Sequence, residues 1–380
     1  MKVVIAMDSF KGSLTSLEAG KAIERGIRNV CDAKIVVKSI ADGGEGTTNA
    51  LVEGSKGSYV SVEVTGPIGK KTTATYGILA DGNTVVMEMS QAAGLTLVPD
   101  DEKNPAQATT YGVGEMILDA IEKGCRRFLI GIGGSATSDG GVGMLQALGY
   151  QFLDASGKEV TRGICGLGNI AEIRSERVVK ELDDCEFQIA CDVKNPLFGK
   201  NGAIHVYGPQ KGLEDEELEL MDAKMMHYAR KTKEFTKKDF SLTEGAGAAG
   251  GLGFAFLSYL PHTELKPGID VIVEETGLER DMKDADVVIT GEGRLDGQTA
   301  MGKTPVGVAK CAKKYGAIVL AFAGSVMEDA EKCHGNGIDA YFSIGRKIMD
   351  VEDAMQPEQA KKNLELTAEE VFRLISLFTK

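Results

Sequence analysis

Hydrophobic and polar positions follow two different rhythms along this chain. Near both ends, a short apolar run is followed by a polar turn and then by a stretch with helical spacing. Residues 3–7 (VVIAM) predict a buried strand and DSFKGS (8–13) a turn. Ala19, Ile23 and Ile27 predict one face of a helix that a Thr15/Glu18 capping box opens. The order repeats with a strand at 35–40, the turn ADGGEGT (41–47) and a helix through Ala50 and Leu51. It returns after residue 284, with strands at 286–290, 317–323 and 341–344. Helices are predicted there at 305–315, at 328–334 and from about 367 to the end.

Between residues 59 and 89 the apolar period drops to two. Segments 60–64, 72–79 and 84–89 predict antiparallel strands joined by Gly/Asp turns. A helix over 109–123, strands at 128–132, 150–153 and 186–191, and a charged helix over 213–238 follow. The two end segments are more like each other than like anything between them. The fold class predicted is therefore α/β, with one discontinuous parallel-sheet domain (1–65 plus 285–380) and a second α/β domain (66–284) inserted at Gly66-Pro67.

Composition narrows the class without changing this picture. The chain is 43% hydrophobic and 26% charged, as ordinary globular proteins are. A formal net charge of −13 argues against a general nucleic-acid binder, so an anionic substrate would need a local cluster of Lys and Arg. The seven cysteines include no C-x-x-C, and the four histidines have no metal-ligand spacing, so no zinc site is expected. The first strand follows Met1 with no signal peptide, and no apolar run is long enough to span a bilayer. A reduced, cytoplasmic enzyme with no membrane partner is the expectation.

The candidate chemistry lies in the turns that close the strands, where open α/β sheets bind ligands. Asp8, Ser9 and Lys11 end the first strand, and Asp42 and Glu45 the second. In RFLIGIGGSATSDGGVG (127–143), Gly133, Gly134 and Ser135 sit between a strand and a helix, where unpaired N–H groups favour an anion. Asp139 stands at that helix start, able to cap it or to hold a cation. DVKNPLFG (192–199) contributes Asp192, and GPQKG (208–212) contributes Lys211. GAGAAGGLG (245–253) is a small-residue turn that lets backbones or a ligand approach closely.

GEGRLDGQTAMGKT (291–304) carries Glu292, Arg294, Asp296 and Lys303. Gly297, Gly302, Lys303 and Thr304 match the P-loop pattern, which needs its first glycine close after the strand. Several residues intervene after a strand ending at Thr290, so Lys303 reads instead as a phosphate-facing cation at a helix N-terminus. Phosphoryl transfer needs cations on the migrating group, carboxylates for Mg²⁺ and a positioned hydroxyl acceptor. Lys11, Lys211, Arg294 and Lys303, with Asp42, Asp139, Asp192, Glu292 and Asp296, supply that inventory, although spacing does not show that they converge.

Two other classes compete. Gly131-x-Gly133-x-x-Ala136, with Asp154 beyond, fits an NAD-dependent oxidoreductase of a small hydroxy acid. With 48 glycines, however, such matches arise by chance, and no histidine sits in a strand-end turn to serve as acid–base. A non-catalytic two-lobed binding protein for small anions would use the same turns without a metal.

Taken together, AMDSFKGS (6–13), ADGGEGT (41–47), GIGGSATSDGG (131–141), CDVKNPL (191–197), GPQKG (208–212), residues 245–253 and GEGRLDGQT (291–299) with Gly302 and Lys303 resemble bacterial class I glycerate kinases. The resemblance runs nearly the whole chain in order. Ser138, where Asn is more usual, departs from it without touching an assigned role. It implies a Rossmann-like domain interrupted by a second α/β domain, with the active site in the cleft. It also implies ATP-dependent phosphorylation of D-glycerate with Mg²⁺, 2-phosphoglycerate being favoured over 3-phosphoglycerate. The roles expected on this reading are catalytic for Lys11, Asp192, Glu292 and Asp296, and substrate-binding for Ser9, Asp42, Arg294 and Lys211. Gly133, Gly134, Ser135 and Lys303 would bind nucleotide phosphates, and Asp139 and Asp296 the metal. Glycerate and ATP are the expected partners, and a homo-oligomer is compatible with the sequence.

Overall fold

In a computed structural model, which describes residues 1–41 and 43–378, the chain forms two compact units. One comprises Met1–Asp42, Asn49–Lys56 and Ile269–Lys380, and the other Gly43–Thr48 and Gly57–Gly268. In chain order the strands are β1 (Lys2–Met7), β2 (Lys34–Ser39), β3 (Ser58–Thr65), β4 (Lys71–Ile78), β5 (Thr84–Glu88), β6 (Arg127–Gly131), β7 (Gln151–Leu153), β8 (Glu172–Arg174), β9 (Glu186–Ala190), β10 (Thr263–Lys266), β11 (Val287–Leu295), β12 (Ile318–Val326) and β13 (Ala340–Ser343).

The first unit is built on an all-parallel, Rossmann-like sheet of order β13-β12-β11-β1-β2. Val3 pairs with Val287 and Ile5 with Ile289 across the β1/β11 seam. There the strand order reverses, because β1 leads outward to β2 on one side while β11 and its successors extend on the other. Val3, Ile5, Met7, Ile289 and Phe322 are buried against the helices Ser16–Arg28 and Pro357–Phe378. The first of these helices carries the capping box read from sequence. Thr15 Oγ1 accepts from the Glu18 N–H at 3.2 Å, and Glu18 returns an oxygen to the Thr15 N–H at 3.0 Å.

The second unit holds a six-stranded sheet of order β10-β9-β6-β5-β4-β3. Its β5, β6, β9 and β10 run parallel, and the β3–β4 hairpin forms an antiparallel edge. Phe128 and Phe187 on neighbouring strands stack at 4.9 Å between ring centroids in its core.

Several sequence expectations change. The boundary at Gly66 moves to residue 57, because β3 pairs along its whole length with β4 and so belongs to the second sheet. Residues 269–284 join the first unit. Gly43–Thr48 belongs to the second, where the buried Glu88 carboxylate accepts the N–H groups of Gly46 (3.1 Å) and Thr48 (3.0 Å). The strand expected at 286–290 runs on to Leu295, and the closing helix begins at Pro357 rather than near 367. Among the described residues, no helix is long and apolar enough to cross a membrane.

The capping box makes a direct stability prediction. Thr15→Ala should lower the stability of the first unit by about 1 kcal/mol in denaturant unfolding, whereas Thr15→Ser should restore most of it. An unchanged midpoint in Thr15→Ala would mean that the cap contributes nothing here.

Candidate active site

The extension of β11 explains how one short motif gathers so much charge. Glu292 pairs with Ala323 and Arg294 with Ser325 of β12, so the backbone is extended through both. Alternate residues of a strand share a face. Glu292, Arg294 and the following Asp296 therefore project together, while Leu295 between them is buried on the other side. Gly291 makes this course possible: a Cβ there would lie 1.8 Å from the Phe322 carbonyl oxygen and 2.7 Å from Met7 Cε. Its own carbonyl accepts the Asp8 N–H at 2.8 Å, which ties the turn after β1 to β11.

These residues line one cavity of about 520 Å³ within the first unit. Asp8, Ser9 and Lys11 come from the turn after β1, and Glu292, Arg294 and Asp296 from the end of β11. Lys303 comes from the N-cap of the helix Thr304–Lys313. The cavity thus lies at the carboxyl edge of the parallel sheet, beside the seam where strand order reverses, the usual ligand position of doubly wound sheets. Phe10, Ile344 and residues of 349–363 also line it.

Asp296 is held by donors from several directions. Its Oδ1 accepts the N–H groups of Gln298 (2.9 Å) and Thr299 (3.2 Å), and its Oδ2 accepts Arg294 Nε (3.0 Å). Burial works against the charge, but those N–H groups together with Lys303 and Arg294 hold the carboxyl below its usual range. Thr299 Oγ1 donates to Glu292 Oε1 at 2.5 Å, accepts the Asp296 N–H at 3.2 Å and lies 3.5 Å from Asp296 Oδ1. The one hydroxyl hydrogen thus goes to Glu292, while the oxygen holds the Asp296 backbone. Sequence reasoning gave Thr299 no role, although it stands inside the motif.

The P-loop match fails for a different reason from the one expected. With β11 ending at Leu295, Gly297 does lie close after the strand. The N–H groups of Gln298 and Thr299 go to Asp296, however, and those of Met301 and Gly302 to the carbonyls of Gln298 and Thr299. A phosphate cradle needs those donors free.

Among the described residues, no three His, Cys, Asp or Glu side chains are grouped to hold a metal alone. Mg²⁺ is commonly bound by one or two carboxylates plus substrate phosphates and water. Glu292 and Asp296, on one face and facing one cavity, fit that pattern.

The other expected residues lie in the second unit. Asp139 is fully buried and caps. It accepts the Thr110 N–H (2.8 Å) and hydroxyl, and the N–H groups of Gly141 and Gly143 (3.1 Å each). The anion at the start of the short helix Val142–Ala147 is thus the chain's own carboxylate, and burial raises its pKa. Lys211 too is held by its own chain. It is 2% exposed and donates to Ser135 Oγ (2.8 Å) and the Thr137 carbonyl (2.6 Å). Gly133 and Gly134 remain exposed. Asp192 lies outside the 520 Å³ cavity and accepts the Gly268 N–H at 2.9 Å. Asp42 lies outside the described residues.

The 245–253 turn is explained by close packing: a Cβ on Gly250, at φ +65°, would lie 2.1 Å from the Thr137 carbonyl oxygen. The dinucleotide reading loses its acidic partner, because β7 pairs with β8 in a separate two-stranded sheet. Asp154 merely organises the turn at Ser156 and Lys158.

Comparison with known proteins agrees with this architecture. A sequence model described as the glycerate kinase family matches residues 3–376. The "Glycerate kinase" of Bacillus subtilis (strain 168) is 47% identical over 378 residues, covering 99% of this chain and 98% of that one. The "Glycerate 2-kinase" of Escherichia coli (strain K12) is 44% identical over 357 residues, covering 94% and 93%. A crystal structure of a candidate glycerate kinase 2 from Salmonella typhimurium LT2 matches with TM-score 0.91 at 42% identity, over 100% of this chain and 99% of that one.

The buried ammonium gives a pH prediction. Burial, partly offset by Asp139, lowers the pKa of Lys211 to about 7, against about 10.4 in an unfolded chain. Between those values the unfolded state binds one more proton, so this lysine makes stability rise with pH above 7 and contributes no slope below it. Thermal midpoints recorded from pH 7 to 9 should rise less in Lys211→Met than in the parent. Parallel curves would show that Lys211 titrates normally.

Proposed function

The chain belongs to the glycerate kinase family, and from that premise we propose that it transfers the γ-phosphoryl group of ATP to the 2-hydroxyl of D-glycerate, with Mg²⁺. The observation that carries this reading is the convergence of Lys11, Glu292, Arg294, Asp296 and Lys303 on one cavity in a protein of net charge −13. Such a set combines anion binding with two carboxylates, which is what phosphoryl transfer demands. The name of the E. coli relative, a glycerate 2-kinase, supports the 2-hydroxyl as acceptor.

In the reaction, the glycerate hydroxyl oxygen forms a bond to the γ-phosphorus while the bond to the β-bridging oxygen breaks and ADP leaves. The hydroxyl proton passes to a carboxylate, and Glu292, oriented by Thr299, is the group assigned to receive it. Asp296, kept ionised by its N–H donors and cations, would hold Mg²⁺ together with the phosphates. When bound, the metal neutralises charge on the phosphate oxygens. Lys11 and Lys303 bind phosphoryl oxygens, and the N–H groups of Arg294 not used by Asp296 receive the glycerate carboxylate. Ser9 adds a hydroxyl beside them.

Three variants test these assignments. Lys11→Met should depress glycerate turnover by ~10²-fold or more, since a charge on the transferring group is lost; near-normal kinetics would return Lys11 to a solvated turn. Asp296→Asn keeps an oxygen for the Gln298 and Thr299 N–H groups, so its melting point should move little while turnover falls by roughly 10²-fold or more. Glu292→Gln should behave likewise. Retention of most activity by both carboxylate variants at saturating Mg²⁺ would remove the motif from the catalytic site. NMR of the product should show 2-phosphoglycerate; 3-phosphoglycerate would move the acceptor to the other hydroxyl.

A further inference from the structure

The geometry points to the apolar half of this same cavity as the seat of the nucleotide's purine base, with Asn363 as the polar group that reads it. The inference rests on the ATP-dependent kinase reading and assigns the nucleotide to the first unit.

The cavity is lined by two chemistries. Beside the cations and carboxylates described above stand carbon and sulfur side chains, Phe10, Ile344, Met349, Val351, Ala354 and Met355, with the carboxylate of Asp350 among them. D-glycerate carries a carboxylate and two hydroxyls on three carbons and has almost no apolar surface to bury. A site serving it alone gains nothing from six such side chains. The volume of about 520 Å³ points the same way. It falls within the roughly 300–1,000 Å³ typical of sites that enclose molecules much larger than a three-carbon acid. A nucleoside triphosphate matches both chemistries, with phosphates for the charged rim and a flat, apolar ring for the carbon and sulfur wall. Thioethers such as those of Met349 and Met355 make favourable contacts with aromatic rings.

Asn363 makes the wall specific. It lies on the inward stripe of the helix Pro357–Phe378, among Ala360, Leu364, Thr367 and Ala368, where burial normally selects apolar residues. It is 5% exposed and lines the cavity. Its Oδ1 accepts Gln359 Nε2 at 2.8 Å, which fixes the amide plane and leaves the amide NH₂ as the group offered to the cavity. An amide NH₂ facing the cavity is a donor that a ligand can use. Heterocycle edges, with ring nitrogens and exocyclic groups, are the partners it suits.

Two variants test this, one deep and one peripheral. Asn363→Leu preserves volume. Ala354→Trp fills the apolar half from the short helix Val351–Met355, where no core packing depends on it. Each should raise the KM for ATP about tenfold or more while leaving the KM for glycerate within about twofold. The melting point of Asn363→Leu should hold or rise, an outcome a purely structural asparagine would not give. Calorimetric titration with ADP, without glycerate, gives an independent readout, and its Kd should rise in both variants. Unchanged ADP affinity in both variants, with a parent that phosphorylates glycerate, would overturn the base subsite and leave the kinase reading standing. A raised KM for glycerate alone would hand the apolar half to the organic acid. A parent that binds ADP through this wall yet fails to phosphorylate glycerate would overturn the activity and leave the subsite standing.

Discussion

The parallel pairing of β1 with β11 is the constraint on which the candidate site depends. Parallel strands deliver all their carboxyl ends to one edge of a sheet, and a reversal of strand order opens a crevice at that edge. Val3 on Val287 and Ile5 on Ile289 set the register. The Asp8 N–H on the Gly291 carbonyl then carries the seam one step past the end of β1. Beyond that point β11 continues alone beside β12, and its alternation turns three polar residues, spaced by two, toward the same space. Gly291 is what lets the two strand ends meet without collision.

Electrostatics is handled in opposite ways in the two units. In the first, cations and carboxylates share a water-accessible rim: Lys11 and Arg294 are exposed and Lys303 is partly so. The local cluster offsets a negative overall charge, as the binding of an anion requires. In the second unit the same residue types are turned inward. Asp139 consumes the N–H groups of a glycine-rich turn, and Lys211 is bound to Ser135 and a carbonyl. Buried polar groups of this kind hold loops in one arrangement, because each donor and acceptor needs its partner in a low-dielectric interior.

The thread joining rim and wall is the C-terminal helix Pro357–Phe378. Its apolar stripe packs on the sheet with Leu364, Ala368 and Phe372, and the same stripe carries Asn363 into the cavity. A single element thus completes the core and furnishes one side of the site. Cores are close-packed, so a polar residue placed there has a fixed position rather than a flexible one.

Much of this was legible in the sequence, because it rests on local rules. The 3–7 apolar run, the turn after it and the Thr15/Glu18 box follow from periodicity and capping, which need no partner. The motif inventory carried the family resemblance for the same reason: it is a matter of order along the chain. What the sequence could not state is which hydrogen bonds win. A Gly/Asp turn reads equally as an anion site or as a self-capped loop, and only the contacts of Asp139 decide for the second. The strand expected to stop at Thr290 runs to Leu295 because β12 lies beside it, and the strand at 58–65 joins the second unit because β4 does. Asn363 was invisible for a related reason: its helix seemed to start four residues later, and an asparagine on an apolar stripe has meaning only once a cavity is seen in front of it. Local structure is written in neighbours along the chain, whereas the choice among satisfied alternatives belongs to neighbours in space.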